Sequence, residues 1–106
     1  MIIEVADIQV RAGQQQAFDE AIARGVRSVI AQAEGYRGHR VLKGIESPER
    51  YLLLVYWETI ENHTVGFRQS PAFGEWRAIV GPFFASPPKV EHFDLLPGGF
   101  TPELVM

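Results

Sequence analysis

The chain has 106 residues, of which 46% are hydrophobic, with 13 acids against 10 lysines and arginines, a formal charge of −3 and no cysteine. That length and apolar content fit one domain spanning 1–106. With no run of more than two basic residues, an extended phosphate-binding face is excluded and no nucleic-acid partner is expected. The missing cysteines exclude thiol nucleophiles, thiolate metal sites and disulfides. The opening MIIEVADIQV has acids where a secretory leader has basic residues, and no apolar run approaches the ~18 residues of a membrane span, so a cytoplasmic protein with no membrane partner is expected.

In chain order, Ile2 to Val10 is β-branched and predicts a strand with Ile2, Glu4, Ala6, Ile8 and Val10 on one side. Gly13 stands where a helix N-cap is expected, and Phe18, Ile22, Val26, Val29 and Ala33 recur at helical spacing up to a stop at Gly35. Tyr36 to Lys43 and Tyr51 to Trp57 flank the polar turn IESPER and predict a hairpin. The second of these strands is apolar on both faces: Tyr51, Leu53, Val55 and Trp57 oppose Leu52, Leu54 and Tyr56. Such a strand needs cover on two sides, and one layer of helices supplies only one.

Thr59 is placed to cap a short helix carrying Ile60, His63, Thr64 and Phe67. Ser70-Pro71 then predicts the start of a second helix with Phe73, Trp76, Ile79 and Val80 on one stripe, halted by Gly81-Pro82. KVEHFDLL reads as a last strand before a Pro/Gly-rich tail over 97–106. The order β-α-β-β-α-β predicts an α+β, ferredoxin-like fold with an antiparallel sheet.

The stretch from LLLVYWETIENHTVGFRQSPAFGEW through GPFF to VEHFD, with GYRGHRVLKG before it, resembles the antibiotic biosynthesis monooxygenase domain family. The resemblance implies a homodimer in which two ferredoxin-like sheets pack face to face as an α+β barrel, supplying the missing cover. Oxygenases of polycyclic aromatic ketides that need no metal or flavin, heme-degrading enzymes and quinol-processing enzymes all share this fold, so the resemblance alone names no substrate. Heme-degrading relatives carry an Asn, a Trp and a His ligand where this chain aligns Asp7, Phe67 and the Trp76-Arg77 region. Because none of the three matches, that branch is disfavoured.

His63 is the leading catalytic candidate, because a neutral imidazole beside an aromatic surface can take a proton from a phenol or carbon acid. The alternative is a histidine bonded into the structure. As a pocket-lining residue it is expected to contribute little to stability. Arg77 is a candidate donor to a developing phenolate, or else a solvated helix-surface cation. Trp57, Tyr51, Phe67, Phe73, Trp76 and Phe83 are candidate substrate-binding residues, each with simple packing as its alternative. Tyr36 and Phe84 are lesser candidates for the pocket and its lid, and His92 with Asp94 reads as an oriented imidazole or a polar rim. The spacing of His39, His63 and His92 suits no metal site, and neither metal nor cofactor is expected.

The expected function is a cofactor-independent monooxygenase acting on a small apolar or aromatic molecule of polyketide-like or quinol-like type. A non-enzymatic ligand-binding or stress-related dimer and an isomerase are the alternatives.

Overall fold

A computed structural model describes residues 1–99; the tail expected over 97–106 lies outside the described residues from position 100 onward. The chain runs β1 (Ile2–Gln9), α1 (Gln15–Ser28), β2 (Tyr36–Lys43), β3 (Arg50–Trp57), α2 (Pro71–Val80) and β4 (Lys89–Asp94). The strands form one antiparallel sheet in the order β2-β3-β1-β4, with both helices packed on one face. This is the ferredoxin-like α+β arrangement.

The period-two pattern sorts the side chains by face. Glu4, Ala6 and Ile8 of β1 and Tyr51, Leu53, Val55 and Trp57 of β3 point toward the helices and are buried. Phe18, Ile22 and Val26 of α1 and Trp76 and Val80 of α2 close over them. The two helices meet where α1 has Gly25: a Cβ there would lie 2.9 Å from Cζ3 of Trp76, so the missing side chain makes room for the indole.

Several boundaries differ from the pattern in the sequence. Val10 leaves the regular ladder and makes an isolated bridge to Phe84. α1 begins after Gln14, with Gly13 one residue earlier in a left-handed turn (φ 81°). It ends at Ser28, because Val29 and Ile30 are drawn into the core through a tight 3-10 turn over Ile30–Gln32. Gly35 (φ 85°) therefore lies in the turn that leads into β2 and does not cap the helix. Ser70 sits before α2 as expected, but its hydroxyl donates to the Phe67 carbonyl at 2.7 Å and leaves the helix end uncapped by a side chain. Gly81-Pro82 does not halt the chain at once: a 3-10 turn, Gly81–Phe83, extends α2. β4 stops at Asp94, leaving Leu95 and Leu96 exposed.

The connection after β3 sets up the site. Thr59 Oγ1 accepts the Asn62 N–H at 3.2 Å while Asn62 Oδ1 accepts the Thr59 N–H at 3.0 Å, a reciprocal cap with asparagine in the place usually held by glutamate. The turn then widens to π geometry over Asn62–Phe67, with the Arg68 N–H donating to the His63 carbonyl at 2.9 Å. Such one-turn widenings are frequent at functional sites. Here the wider turn brings both His63 and Phe67 inward.

Among the described residues, no helix lies on the opposite face of the sheet. Leu52, Leu54 and Tyr56 are only half-buried there, beside Ile3 and Val5, while Leu42 and Phe93 are 46% and 49% exposed.

At Gly35 the left-handed backbone coincides with the Asn62 side chain, 2.2 Å from where a Cβ would stand. Gly35→Ala should lower stability by about 1–3 kcal/mol, through backbone strain and displacement of the asparagine cap. Denaturant unfolding measures this, and a variant as stable as the parent would refute the dependence of the cap on this glycine.

Candidate functional site

Glu4 stands on the central strand β1 with its side chain on the core face, and it is 6% exposed. A buried carboxyl needs hydrogen-bond partners. Trp57 Nε1–H, from the neighbouring strand, donates to Glu4 Oε1 at 3.0 Å. The same oxygen lies 3.3 Å from His63 Nε2, presented by the π-turn. On its other side His63 Nδ1 is 2.7 Å from Nε2 of His92, which reaches across from β4. Tryptophan, carboxyl and two imidazoles thus lie in one line of close polar contacts from the core to the partly covered His92. The His63 ring is held flat, stacked on Trp57 with centroids 5.5 Å apart and an angle of 20°, and flanked by Phe67 at 6.3 Å.

Burial governs the charges. It pushes the Glu4 carboxyl up to about 7, overcoming the opposing effects of the Trp57 N–H and the Arg68 cation. It pulls His63 down to about 4, helped by His92 and Arg68. His92 is lowered for the same reasons, burial first and Arg68 second. Near neutral pH the His63–Glu4 contact is therefore not a pair of full charges: the imidazole is neutral and the carboxyl is poised between its two forms.

Beside this chain lies a cavity of about 240 Å³. Glu4 and His63 form its polar wall; Phe67, Phe73 and Trp76 supply aromatic walls, and Arg68 and Arg77 lie at its rim. Phe67 meets Phe73 edge to face at 5.8 Å, and the Arg68 and Arg77 guanidinium groups stand 5.6 and 5.9 Å from the Phe73 ring. Phe84, Pro88 and Val90 close the side toward β4.

Of the residues singled out in the sequence, His63, Arg77, Phe67, Phe73 and Trp76 meet at this cavity. Trp57 does not line it: its indole is wholly buried behind His63. Tyr51 lies elsewhere in the core, its hydroxyl bonded to Asp19 at 2.5 Å, because β3 alternation places it opposite Ile8. Phe83 is turned by the 3-10 segment onto Phe18, 5.8 Å away, and Phe84 takes the place at the cavity. Tyr36 bonds His39 Nδ1 at 2.8 Å. His92 pairs with His63, not with Asp94. His63 is no loosely held pocket residue; it is 3% exposed, hydrogen-bonded to His92 through Nδ1 and in contact with Glu4 through Nε2, so truncating it removes packing as well as chemistry.

Glu4 and Arg68 were not singled out. The signal for Glu4 was present: it is the one acid on the side of β1 otherwise formed by Ile2, Ala6, Ile8 and Val10. Among the described residues no group of three histidines or acids is disposed to hold a metal ion.

A sequence profile described as antibiotic biosynthesis monooxygenase matches residues 1–79. YczJ of Bacillus subtilis (strain 168), an uncharacterized protein, is 41% identical over 93 residues, covering 88% of this chain and 97% of that protein. The crystal structure of an antibiotic biosynthesis monooxygenase-type protein from Bordetella bronchiseptica superposes with a TM-score of 0.85 at 42% identity, over 90% of this chain and 96% of the other. A Streptomyces coelicolor monooxygenase from the gene ActVA-Orf6, solved with nanaomycin D, shares the fold with a TM-score of 0.76 at 20% identity, over 96% and 92% of the two chains.

The Glu4 and His63 shifts act on stability with opposite signs. Glu4, raised from 4.5 to about 7, holds a proton in the native state that the unfolded chain loses, so its contribution falls by about 3 kcal/mol as pH rises through that window. His63, lowered from 6.5 to about 4, contributes in the other direction, and stability rises with pH between those values. The two slopes offset each other through the overlap. Glu4→Gln should expose the histidine slope, so that the melting temperature climbs with pH through this range while the parent changes little. Equal pH profiles for parent and variant would contradict these shifts.

Proposed function

The chain belongs to the antibiotic biosynthesis monooxygenase family, and from that premise we propose that it oxidises a small electron-rich aromatic, a phenol or quinol of one or two fused rings, with dioxygen and without a bound cofactor. The observation that carries this is a buried carboxyl–imidazole pair set into an otherwise aromatic cavity. A volume of about 240 Å³ is below the ~300 Å³ at which pockets for drug-sized ligands begin, which favours a compact substrate.

In this mechanism the Glu4–His63 pair removes the phenolic proton, and the electron-rich phenolate passes an electron to dioxygen. The two radicals combine at a ring carbon as a peroxide anion, which takes back the proton held by the pair to become a hydroperoxide. Loss of the ring proton at that carbon with cleavage of the O–O bond leaves a quinone carbonyl and one water, so dioxygen is the only oxidant required. Phe67, Phe73 and Trp76 hold the ring and exclude water, and the Arg77 guanidinium at the rim favours the phenolate.

The uncovered apolar face of the sheet is the proposed homodimer contact, with Leu54, Tyr56 and Phe93 meeting a second copy. Light scattering on the eluting protein should give twice the chain mass, and Leu54→Glu should give the monomer; a parent eluting as a monomer at micromolar concentration would refute the contact.

Oxygen uptake with simple naphthols and hydroquinones, after treatment with a chelator, tests the activity itself. The parent should consume one dioxygen per quinone formed. His63→Ala should lose about 10² to 10⁴ in turnover and also melt lower, by an amount corresponding to about 1–3 kcal/mol for the partners left unbonded. A His63→Ala protein that turns over at the parental rate would remove the pair from the reaction.

A further inference from the structure

We propose that Glu4, His63 and His92 form a proton relay, in which Glu4 is the base that meets the substrate, His63 passes the proton on, and His92 is the port that exchanges it with water. Three geometric facts assign these roles. Glu4 and His63 border the cavity, whereas His92 does not line it. The contacts run in one line, a 3.3 Å approach of Glu4 Oε1 to His63 Nε2 and a 2.7 Å hydrogen bond between His63 Nδ1 and His92 Nε2, so each His63 nitrogen has a different partner. His92 sits on an edge strand, only partly covered, and its Nδ1 has no hydrogen-bond partner among the described residues.

The transfer balances without a charged ring. After Glu4 has taken the substrate's proton, its O–H donates to His63 Nε2, His63 Nδ1–H donates to His92 Nε2, and His92 Nδ1 carries a hydrogen. One proton shifts along each bond: Glu4 becomes a carboxylate, both imidazoles finish neutral with hydrogen on Nε2, and His92 Nδ1 releases one proton to water. The reverse shift carries a solvent proton to Glu4. A route through neutral tautomers is what a buried, poorly basic His63 requires, and a carboxyl near 7 can run in both directions at neutral pH. The groups facing Glu4 are the Trp57 N–H from β3, His63 and the Arg68 cation from the π-turn and the residue after it, His92 from β4, and Arg77 across the cavity from α2. Asp94 shares the β4 face of His92. The Trp57 bond and the arginines favour the carboxylate, and burial favours the acid.

Two experiments on the full chain test the relay, which as a catalytic device rests on the oxygenation proposed above. In the first, which needs no substrate, nitrogen NMR of the histidine rings is followed through pH about 7. His63 and His92 should exchange tautomers together, from Nδ1–H below to Nε2–H above, without an imidazolium signal, and Glu4→Gln should abolish the step in both. Rings that keep one tautomer throughout, or a step that survives in Glu4→Gln, would overturn the relay.

In the second, oxygen uptake with a naphthol is measured in dilute buffer. His92→Gln, which keeps a hydrogen bond to His63 but cannot carry a proton onward, and His92→Ala should both slow turnover. Added imidazole should restore His92→Ala, where it finds room, but not His92→Gln. Glu4→Gln should lose about 10² to 10⁴ regardless of buffer. Undiminished uptake in both His92 variants would overturn the relay and leave the oxygenation standing, whereas a coupled tautomer step in a parent that consumes no oxygen would overturn the oxygenation alone.

Discussion

A carboxyl on the core face of the central strand is the constraint around which the site is arranged. Leaving Glu4 unbonded in that position would cost several kcal/mol, and water has little access to it. Trp57 supplies a donor from the next strand, and His63 brings a ring nitrogen within 3.3 Å from the connection beyond it. For His63 to reach that depth, the chain after β3 must turn promptly, which the Thr59–Asn62 cap secures, and must widen, which the π-turn does. Gly35 lies close against Asn62 and leaves that cap its space. One buried acid thus ties together two strands, a turn and a cap.

The same arrangement separates the two faces of the sheet by task. Toward the helices, aromatic rings and proline close a cavity around the acid–imidazole pair, and the two arginines at its rim are the nearby positive charges. Away from the helices, β1, β3 and β4 present apolar side chains with no helix over them among the described residues. Asp7 lies on that second face, bonded to Arg50 at 2.8 and 3.1 Å, and therefore takes no part in the cavity.

Two titratable groups pushed in opposite directions by one apolar environment are suited to proton transfer at neutral pH. Burial makes the glutamate a stronger base than a free carboxylate and the histidine a weaker one than free imidazole. This reverses the roles suggested by residue type alone. The histidine drew attention because histidines ordinarily titrate near neutrality, yet in this fold the acid is the group that does so, and the imidazole works best as a neutral link.

How much was legible in the sequence follows from the range of the forces involved. Strand and helix identities were legible in periods of two and 3.6, since alternating and stripe-like apolar patterns record which face is buried. The ferredoxin-like order, the two-faced β3 and the gathering of His63, Phe67, Phe73 and Trp76 followed from that local patterning. Helix ends were less legible: Gly35 and Ser70 carry the residue types of caps, but the pull of Val29 and Ile30 into the core, and a carbonyl within reach of the serine, decided their use. Long-range pairing was not legible at all. His92 has an acid two residues away in sequence and a histidine 2.7 Å away in space, and only the β1–β4 register, which sets His92 opposite Glu4, determined which one it meets. The sequence alone placed an acid among apolar neighbours on β1. Tertiary structure decided that it is a poised base, because its proton affinity depends on burial and on partners from β3, the π-turn and β4, which come together only when the sheet forms.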